Sequence, residues 1–334
     1  MAIDVHGHVT SPELFKRFPM PPSLADIDGM IEKKAELGID LTIVGSPVGA
    51  GTMVPVPGMD NYAQPADQLD GFHEWLADTV RAHPDHLRGY VYVNPFADDD
   101  SLARAAKRLA QEEFVGLIAN TSVRGEYLDS PRAEQFFALA AETGSPILLH
   151  PPAEPVGASA MRGHLGLIEH VVRPCDITAG VAAILFAGWL DRYPTLKLIA
   201  TNAGGALSLL REKLDLAQQR AGGPPVGRPG AGGPPPGRPA AGGPPATPIS
   251  RQLGRIYVDT ATPSQLALAA AAEVFGPDHL LFGTDSPPLT TPLPATLAMV
   301  ARLDVAPAHL DRILAGTARE LFGLGGSLGL GGAS

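Results

Sequence analysis

The chain has 334 residues, 45% of them hydrophobic, and a formal net charge of −10. That length suits a single α/β barrel with insertions, and the acidic balance argues against nucleic acid or an anionic membrane as partner. No apolar run approaches the ~18 to 20 residues that cross a bilayer. The N-terminus lacks a basic segment leading into an apolar stretch, and the lone Cys175 excludes an intrachain disulfide framework. A cytoplasmic setting is expected.

The first residues, Met1-Ala2-Ile3-Asp4-Val5-His6-Gly7-His8, read as a short apolar strand ending in His-x-His. Residues i and i+2 of a strand share a face, so both imidazoles can address one ion. Further β-rich runs follow at Leu41–Gly45, Gly89–Asn94, Val115–Ala119, Ile147–His150, Leu196–Ala200, Ile256–Asp259 and Leu280–Gly283. Amphipathic or alanine-rich helical patterns lie between them, among them Leu102–Gln111, Arg132–Thr143, Ile177–Arg192, Ala206–Gln219 and Gln265–Phe275. Strand–helix alternation implies a parallel sheet with crossover helices. With the first run near Ile3–His6 there are eight repeats, which favours a closed (β/α)8 TIM-type barrel over an open doubly wound sheet. No G-x-G-x-x-G follows the first strand and no G-x-x-x-x-G-K-[ST] occurs, so a nucleotide-phosphate cradle finds no support. Gly and Pro dominate about 221–248, where Gly-Gly-Pro-Pro recurs; this reads as a flexible insertion in the connection before the seventh strand. The whole, 1–334, reads as one barrel domain with a flexible tail at 325–334.

In such a barrel the carboxyl ends of the strands converge on one face. His6 and His8 end the first strand, His150 the fifth and Asp285 the eighth. Four N/O donors there suit one Zn²⁺, with Mn²⁺ as the alternative, and leave room for water or substrate. The plainer readings are a hydrogen-bonded strand-end histidine for His150 and a helix N-cap for Asp285.

With these ligands go Leu37-Gly38-Ile39-Asp40, His83-Pro84-Asp85-His86-Leu87-Arg88-Gly89, Phe114-Val115-Gly116, Tyr127-Leu128-Asp129-Ser130-Pro131 and His150-Pro151. Asp191-Arg192-Tyr193-Pro194, Gly204-Gly205-Ala206-Leu207, Tyr257-Val258-Asp259-Thr260 and Phe282-Gly283-Thr284-Asp285 complete the set. Together they resemble the amidohydrolase superfamily, and within it the amidohydrolase-2 group of aminocarboxymuconate-semialdehyde, resorcylate and carboxyvanillate decarboxylases. The resemblance runs to about residue 322. It implies a distorted barrel with one divalent ion on His6, His8, His150 and Asp285. It also implies a decarboxylase of a small aromatic or unsaturated carboxylic acid, commonly a homodimer. Members usually end strand six in His-Gly-Gly-Gly, and that histidine serves as acid/base. Here the segment is Thr201-Asn202-Ala203-Gly204-Gly205, and the Asn202 amide cannot shuttle a proton. The chemistry therefore needs no strand-six base, finds another, or has been lost. A hydrolase, hydratase, dehydratase or cyclase of secondary metabolism is one alternative, and a non-catalytic metal- or ligand-binding barrel is another.

Asp285 can assist as base, and His73 is a candidate replacement for the missing histidine, although an exposed helical histidine is the plainer reading. Arg124 and Arg162, in loops beyond strands four and five, could clamp a substrate carboxylate bidentately. His164 can reach the barrel mouth from the strand-five loop. Asn120, after strand four, is a further candidate for the substrate wall. The loop 46–68, with Met53, Met59 and Tyr62, could wall an apolar pocket.

Overall fold

The computed structural model describes residues 1–54, 56–161, 163–221, 247–289 and 292–325. The barrel strands are β1 (Ala2–His8), β2 (Ile39–Gly45), β3 (Leu87–Tyr92), β4 (Phe114–Asn120), β5 (Ile147–His150), β6 (Leu198–Ala200), β7 (Tyr257–Asp259) and β8 (Leu280–Leu281). They lie in chain order in one sheet, and each pairs in parallel with the next. The Val5 amide donates to the Phe282 carbonyl at 2.9 Å and the Asp285 amide to the His6 carbonyl at 2.8 Å. These bonds bring the last strand back to the first, so the sheet is a nearly closed (β/α)8 barrel. A small hairpin, Ser122–Val123 with Glu126–Tyr127, follows β4.

Strand periodicity sorts the side chains into two cores. Leu41, Ile43, Ile118, Leu148 and Ile199 pack with Ile3 and Val5 inside the barrel. Their strand neighbours Val44, Leu117, Leu149 and Leu198 pack outward against the helices. The longer helices among the described residues are α1 (Ile27–Ala35), α2 (Ala66–Ala82), α3 (Asp99–Leu109), α4 (Glu134–Thr143), α5 (Arg173–Phe186), α6 (Leu207–Ala221), α7 (Gln265–Phe275) and α8 (Leu293–Ala301). Asp26, Asp98 and Ser264 cap α1, α3 and α7 by accepting backbone N–H groups of the first turn.

The stretch expected as one helix over Ile177–Arg192 is broken. α5 ends at Phe186, and a short helix, Trp189–Arg192, restarts after Gly188 at φ 74°. Glycine takes this left-handed conformation without a Cβ penalty. The strand expected to reach Asn94 ends at Tyr92. The Gly/Pro-rich insertion expected at 221–248 lies outside the described residues except for 221, 247 and 248, as does the expected tail beyond residue 325. Among the described residues no helix is long and apolar enough to cross a membrane.

Beneath the barrel mouth sits a buried ion pair. Lys34 Nζ of α1 lies 2.7 Å from Asp4 Oδ2 of β1, with side-chain exposures of 2% and 0%. Asp4 also accepts from the backbone amides of His6 (2.9 Å) and Thr284 (3.0 Å) and from the Thr284 hydroxyl (2.5 Å). A buried charge pair is tolerable only when the remaining lone pairs are satisfied in this way. Lys34→Ala leaves the Asp4 charge buried without its cation, and the unfolding free energy should fall by about 3 kcal/mol. A urea unfolding midpoint unchanged from that of the parent chain would contradict this.

Candidate metal centre

A register shift between Asp4 and Gly7 interrupts the β1–β2 pairing, and such irregularities re-aim side chains at functional rims. Beyond it, His6 and His8 present their Nε2 atoms 3.1 Å apart. His150 stands two residues past the inward Leu148, on the same face of β5. Asp285 follows β8 in a left-handed conformation at φ 54°. Its Oδ1 lies 3.1 Å from His8 Nε2 and 3.5 Å from His6 Nε2. One ligand atom from each of His6, His8, His150 and Asp285 falls within 4.8 Å of all the others, and all four residues are buried. Gly283 permits this approach, since a Cβ there would lie 2.9 Å from the Asp259 Cβ and 3.1 Å from the His6 Cβ.

Each imidazole is oriented through its other nitrogen. His6 Nδ1 meets Asp259 Oδ2 at 2.5 Å, His8 Nδ1 the Gly45 carbonyl at 3.2 Å, and His150 Nδ1 the Pro151 carbonyl at 2.8 Å. Oxygen acceptors at all three Nδ1 atoms assign the proton there and leave the Nε2 lone pairs facing one another. The rings stand at 88–89° to each other. Lone pairs aimed together in a dry site repel unless a cation lies between them. A tetrahedral donor set with ordinary ~2.0–2.1 Å bonds has its donor atoms ~3.4 Å apart, close to the three shorter separations seen here. The residues present therefore fit one divalent metal ion.

The protonation pattern agrees. Burial opposes a charge on His6, but Asp285, Asp259 and Asp4 outweigh it and lift the pKa to about 9. Burial, with His8 and His6 close by, pushes His150 well below its usual value. Burial would raise Asp285, but the three histidines hold its carboxyl well below the usual range. Without metal, the cluster keeps a proton on His6 and a charge on Asp285.

A cavity of about 880 Å³ opens onto His8, His150, Asp285 and Asn202. Its walls are largely apolar, with Met20, Leu24, Val48, Met53 and Leu289 among them. Asn202 sits just past β6 at φ 55°, a conformation that Asn tolerates better than most residues. The next residue, Ala203, is also left-handed, and its amide donates to Asp259 Oδ1 at 3.2 Å. Asp259 thus ties the Asn202 turn to the His6 ring.

Other expected site residues lie elsewhere. His73 is buried in α2, not exposed, and its Nε2 accepts the Tyr92 amide at 3.0 Å while its ring meets Phe114. Burial and the neighbouring Arg108 lower its pKa to about 3, so it is a neutral packing residue outside the cavity and no acid/base. Arg124 pairs with Asp60 at 2.5 Å and lines a separate cleft with Tyr62. His164 is exposed and does not line the cavity, although its neighbours Gly163 and Leu165 do. Asn120 is fully buried and supports the wall from behind, its Nδ2 donating to the Pro47 carbonyl at 2.9 Å. Arg162 lies outside the described residues. Of the apolar candidates in loop 46–68, Met53 lines the cavity, whereas Met59 does not. Sequence reasoning missed Asp259, whose signal was a carboxylate at a strand end. It also missed Arg173, whose i,i+4 spacing from Glu169 marks a helical ion pair.

Residues 3–324 match the family model described as Amidohydrolase. The chain belongs to this family. It is 24% identical over 276 residues to the 2-amino-3-carboxymuconate-6-semialdehyde decarboxylase of Dictyostelium discoideum, spanning 80% of this chain and 71% of that relative. The 5-carboxyvanillate decarboxylase of Sphingomonas paucimobilis superposes with a TM-score of 0.76 at 18% identity, over 96% of this chain and 98% of that one. A dihydroxybenzoic acid decarboxylase from Polaromonas sp. JS666, solved with manganese and 2-nitroresorcinol, gives 0.75 at 21%, over 99% of both chains. These structural likenesses establish the shared barrel.

Purified protein should carry about one divalent ion per chain, lost in the His8→Ala, Asp285→Ala double variant; elemental analysis checks both. Asp259→Asn keeps every ligand but loosens the His6 ring, so metal affinity should fall about 10- to 100-fold. Because the folded pKa of His6 is raised, its contribution to metal-free stability is full below the unfolded value near 6.5 and is lost as pH rises through about 9. Metal must displace that proton, so binding at neutral pH should release it and weaken as pH falls. Calorimetry in buffers of differing ionisation enthalpy reads the released proton directly.

Proposed function

We propose that the chain is a metal-dependent decarboxylase that removes CO₂ from a small aromatic or unsaturated carboxylic acid. The observation that carries this reading is the convergence of three imidazoles and one carboxylate beside a cavity of about 880 Å³ with largely apolar walls. The decarboxylases named above, with their carboxylated substrates, support it. Zinc comes first for this donor set. Manganese is the alternative, supported by the Polaromonas protein, since both ions accept N/O ligands.

His6, His8, His150 and Asp285 would hold the ion, which when bound polarises a substrate oxygen as a Lewis acid. The largely apolar walls suit the hydrocarbon frame of such a substrate. Breaking the bond to the carboxylate leaves its electron pair on the substrate carbon, which must then take a proton. Asn202 cannot supply it, because an amide keeps the same proton inventory throughout the working pH range. It can donate an N–H to a substrate oxygen and fix the ring's orientation. Among the described residues three carboxylates line the cavity, of which Glu154 is exposed and Glu169 is paired with Arg173. Asp285 alone stands among the ligands; its ionised carboxylate would take a proton from a substrate hydroxyl or from water and pass it to the carbon, and solvent would restore the donor's proton.

The test is CO₂ release from a panel of hydroxybenzoic, benzene-dicarboxylic and muconic-type acids by protein loaded with zinc or manganese. Asp285→Asn, with its metal content measured alongside, should cost about 10²- to 10⁴-fold in turnover. Asn202→Ala, losing only hydrogen bonds, should cost about 3- to 10-fold. Full metal occupancy without CO₂ from any of these acids would remove the decarboxylase reading.

A further inference from the structure

Arg173 opens α5 and is only 7% exposed, yet the chemistry above does not use it. Among the described residues lining the cavity it is the single Lys or Arg. Two bonds anchor its guanidinium: Nη1 donates to the Pro152 carbonyl at 2.8 Å and Nε to Glu169 Oε2 at 2.9 Å. Pro152 follows His150 by two residues, so cation and metal ligand are fastened to one stretch of chain. Nη2 has no hydrogen-bond partner among the described residues, which leaves one end of the fork available.

The two halves of the Glu169–Arg173 pair differ in exposure. The Arg173 side chain is 9% exposed and that of Glu169 40%. A guanidinium out of water needs an anion, whereas a carboxylate near solvent holds its partner weakly. Glu169 can turn to water at little cost, and Arg173 cannot. The nearby buried carboxylate of Asp176 does not compete, because Thr121, Ser122 and the Val156 amide occupy its oxygens.

We propose that Arg173 is a specificity-determining residue that binds a second anionic group of the substrate, so that the site selects aromatic or unsaturated dicarboxylates over monocarboxylates. This assignment rests on the decarboxylase reading for its consequence, since one carboxylate leaves at the metal end while the other is held at Arg173. The planar fork matches a carboxylate bidentately, and the incoming anion takes the place of Glu169.

The experiment is calorimetric titration of the metal-loaded protein with benzoate, benzene-1,3-dicarboxylate and benzene-1,4-dicarboxylate. Wild type should bind at least one dicarboxylate about 10- to 100-fold more tightly than benzoate, the worth of a charge-assisted hydrogen-bonded pair. Arg173→Met should erase that margin while leaving benzoate binding as it was. Glu169→Gln, which keeps the cation and weakens its resident partner, should widen the margin severalfold. A purely structural role for the pair would instead weaken all three ligands in both variants, and that result overturns the proposal. So does a dicarboxylate-to-benzoate ratio that is the same in wild type and Arg173→Met. An Arg173-dependent margin in a protein that releases CO₂ from no acid would keep the anion site and discard the decarboxylase reading.

Discussion

Three imidazoles are each held by an oxygen at Nδ1, and the geometry of the site follows from those three bonds. Asp259, the Gly45 carbonyl and the Pro151 carbonyl fix the rings. With the Nδ1 protons committed, the Nε2 lone pairs have one direction left, toward each other and toward Asp285. Such convergence would be unfavourable in any site meant to stay free of a cation. Asp259 is the most consequential of the three anchors, because it also accepts the amides of Ala203 and Ala261. One carboxylate therefore sets the His6 ring, the turn that carries Asn202 and the exit from β7.

The barrel is built to hold that convergence. Asp4 lies below the ligands and links α1, through Lys34, to the Thr284 backbone and hydroxyl immediately before Asp285. The Asp285 amide returns to the His6 carbonyl, so the closure of the barrel and the placement of the fourth ligand are one event. Among the described residues, four non-glycine residues have positive φ: Arg124, Asn202, Ala203 and Asp285. Three of them surround the metal centre, where buried hydrogen bonds hold backbone conformations that would cost energy elsewhere. Ala203 has no side-chain means of easing that cost, and its bond to Asp259 supplies the restraint.

The sequence exposed what depends on local periodicity. Strand–helix alternation disclosed the eight strands and their order, and the strand-end positions of His6, His8, His150 and Asp285 marked the residues that the fold brings together. What depends on distant pairing stayed hidden. Asp259 lies 253 residues from His6, and nothing local distinguishes it from any other strand-end carboxylate. His73 read as a replacement base or an exposed helical histidine, but the face it occupies is decided by packing against β3 and β4. Arg124 lay in a loop of the right strand, yet a neighbouring loop offered Asp60, and the ion pair turned it into another cleft. Loop side chains are aimed by partners that the sequence does not place beside them.

The Asn202 amide changes how this site can titrate. Where a separate strand-six histidine serves as acid/base, proton transfer and metal binding belong to different groups and respond to pH separately. Here the cavity side chain at that position carries no titratable proton, and among the described residues the buried carboxylate facing the cavity is Asp285, itself one of the converging donors. On the proposed decarboxylase reading, proton transfer and metal occupancy draw on the same cluster, whose members shift one another's pKa values. A substitution at Asp285 perturbs both at once, so the two roles separate only through groups that touch the cluster indirectly. Asp259 is the better handle for metal affinity, since it acts on His6 without facing the cavity. Arg173 and Asn202 are the better handles for substrate, since they face the cavity without contributing a donor to the ion.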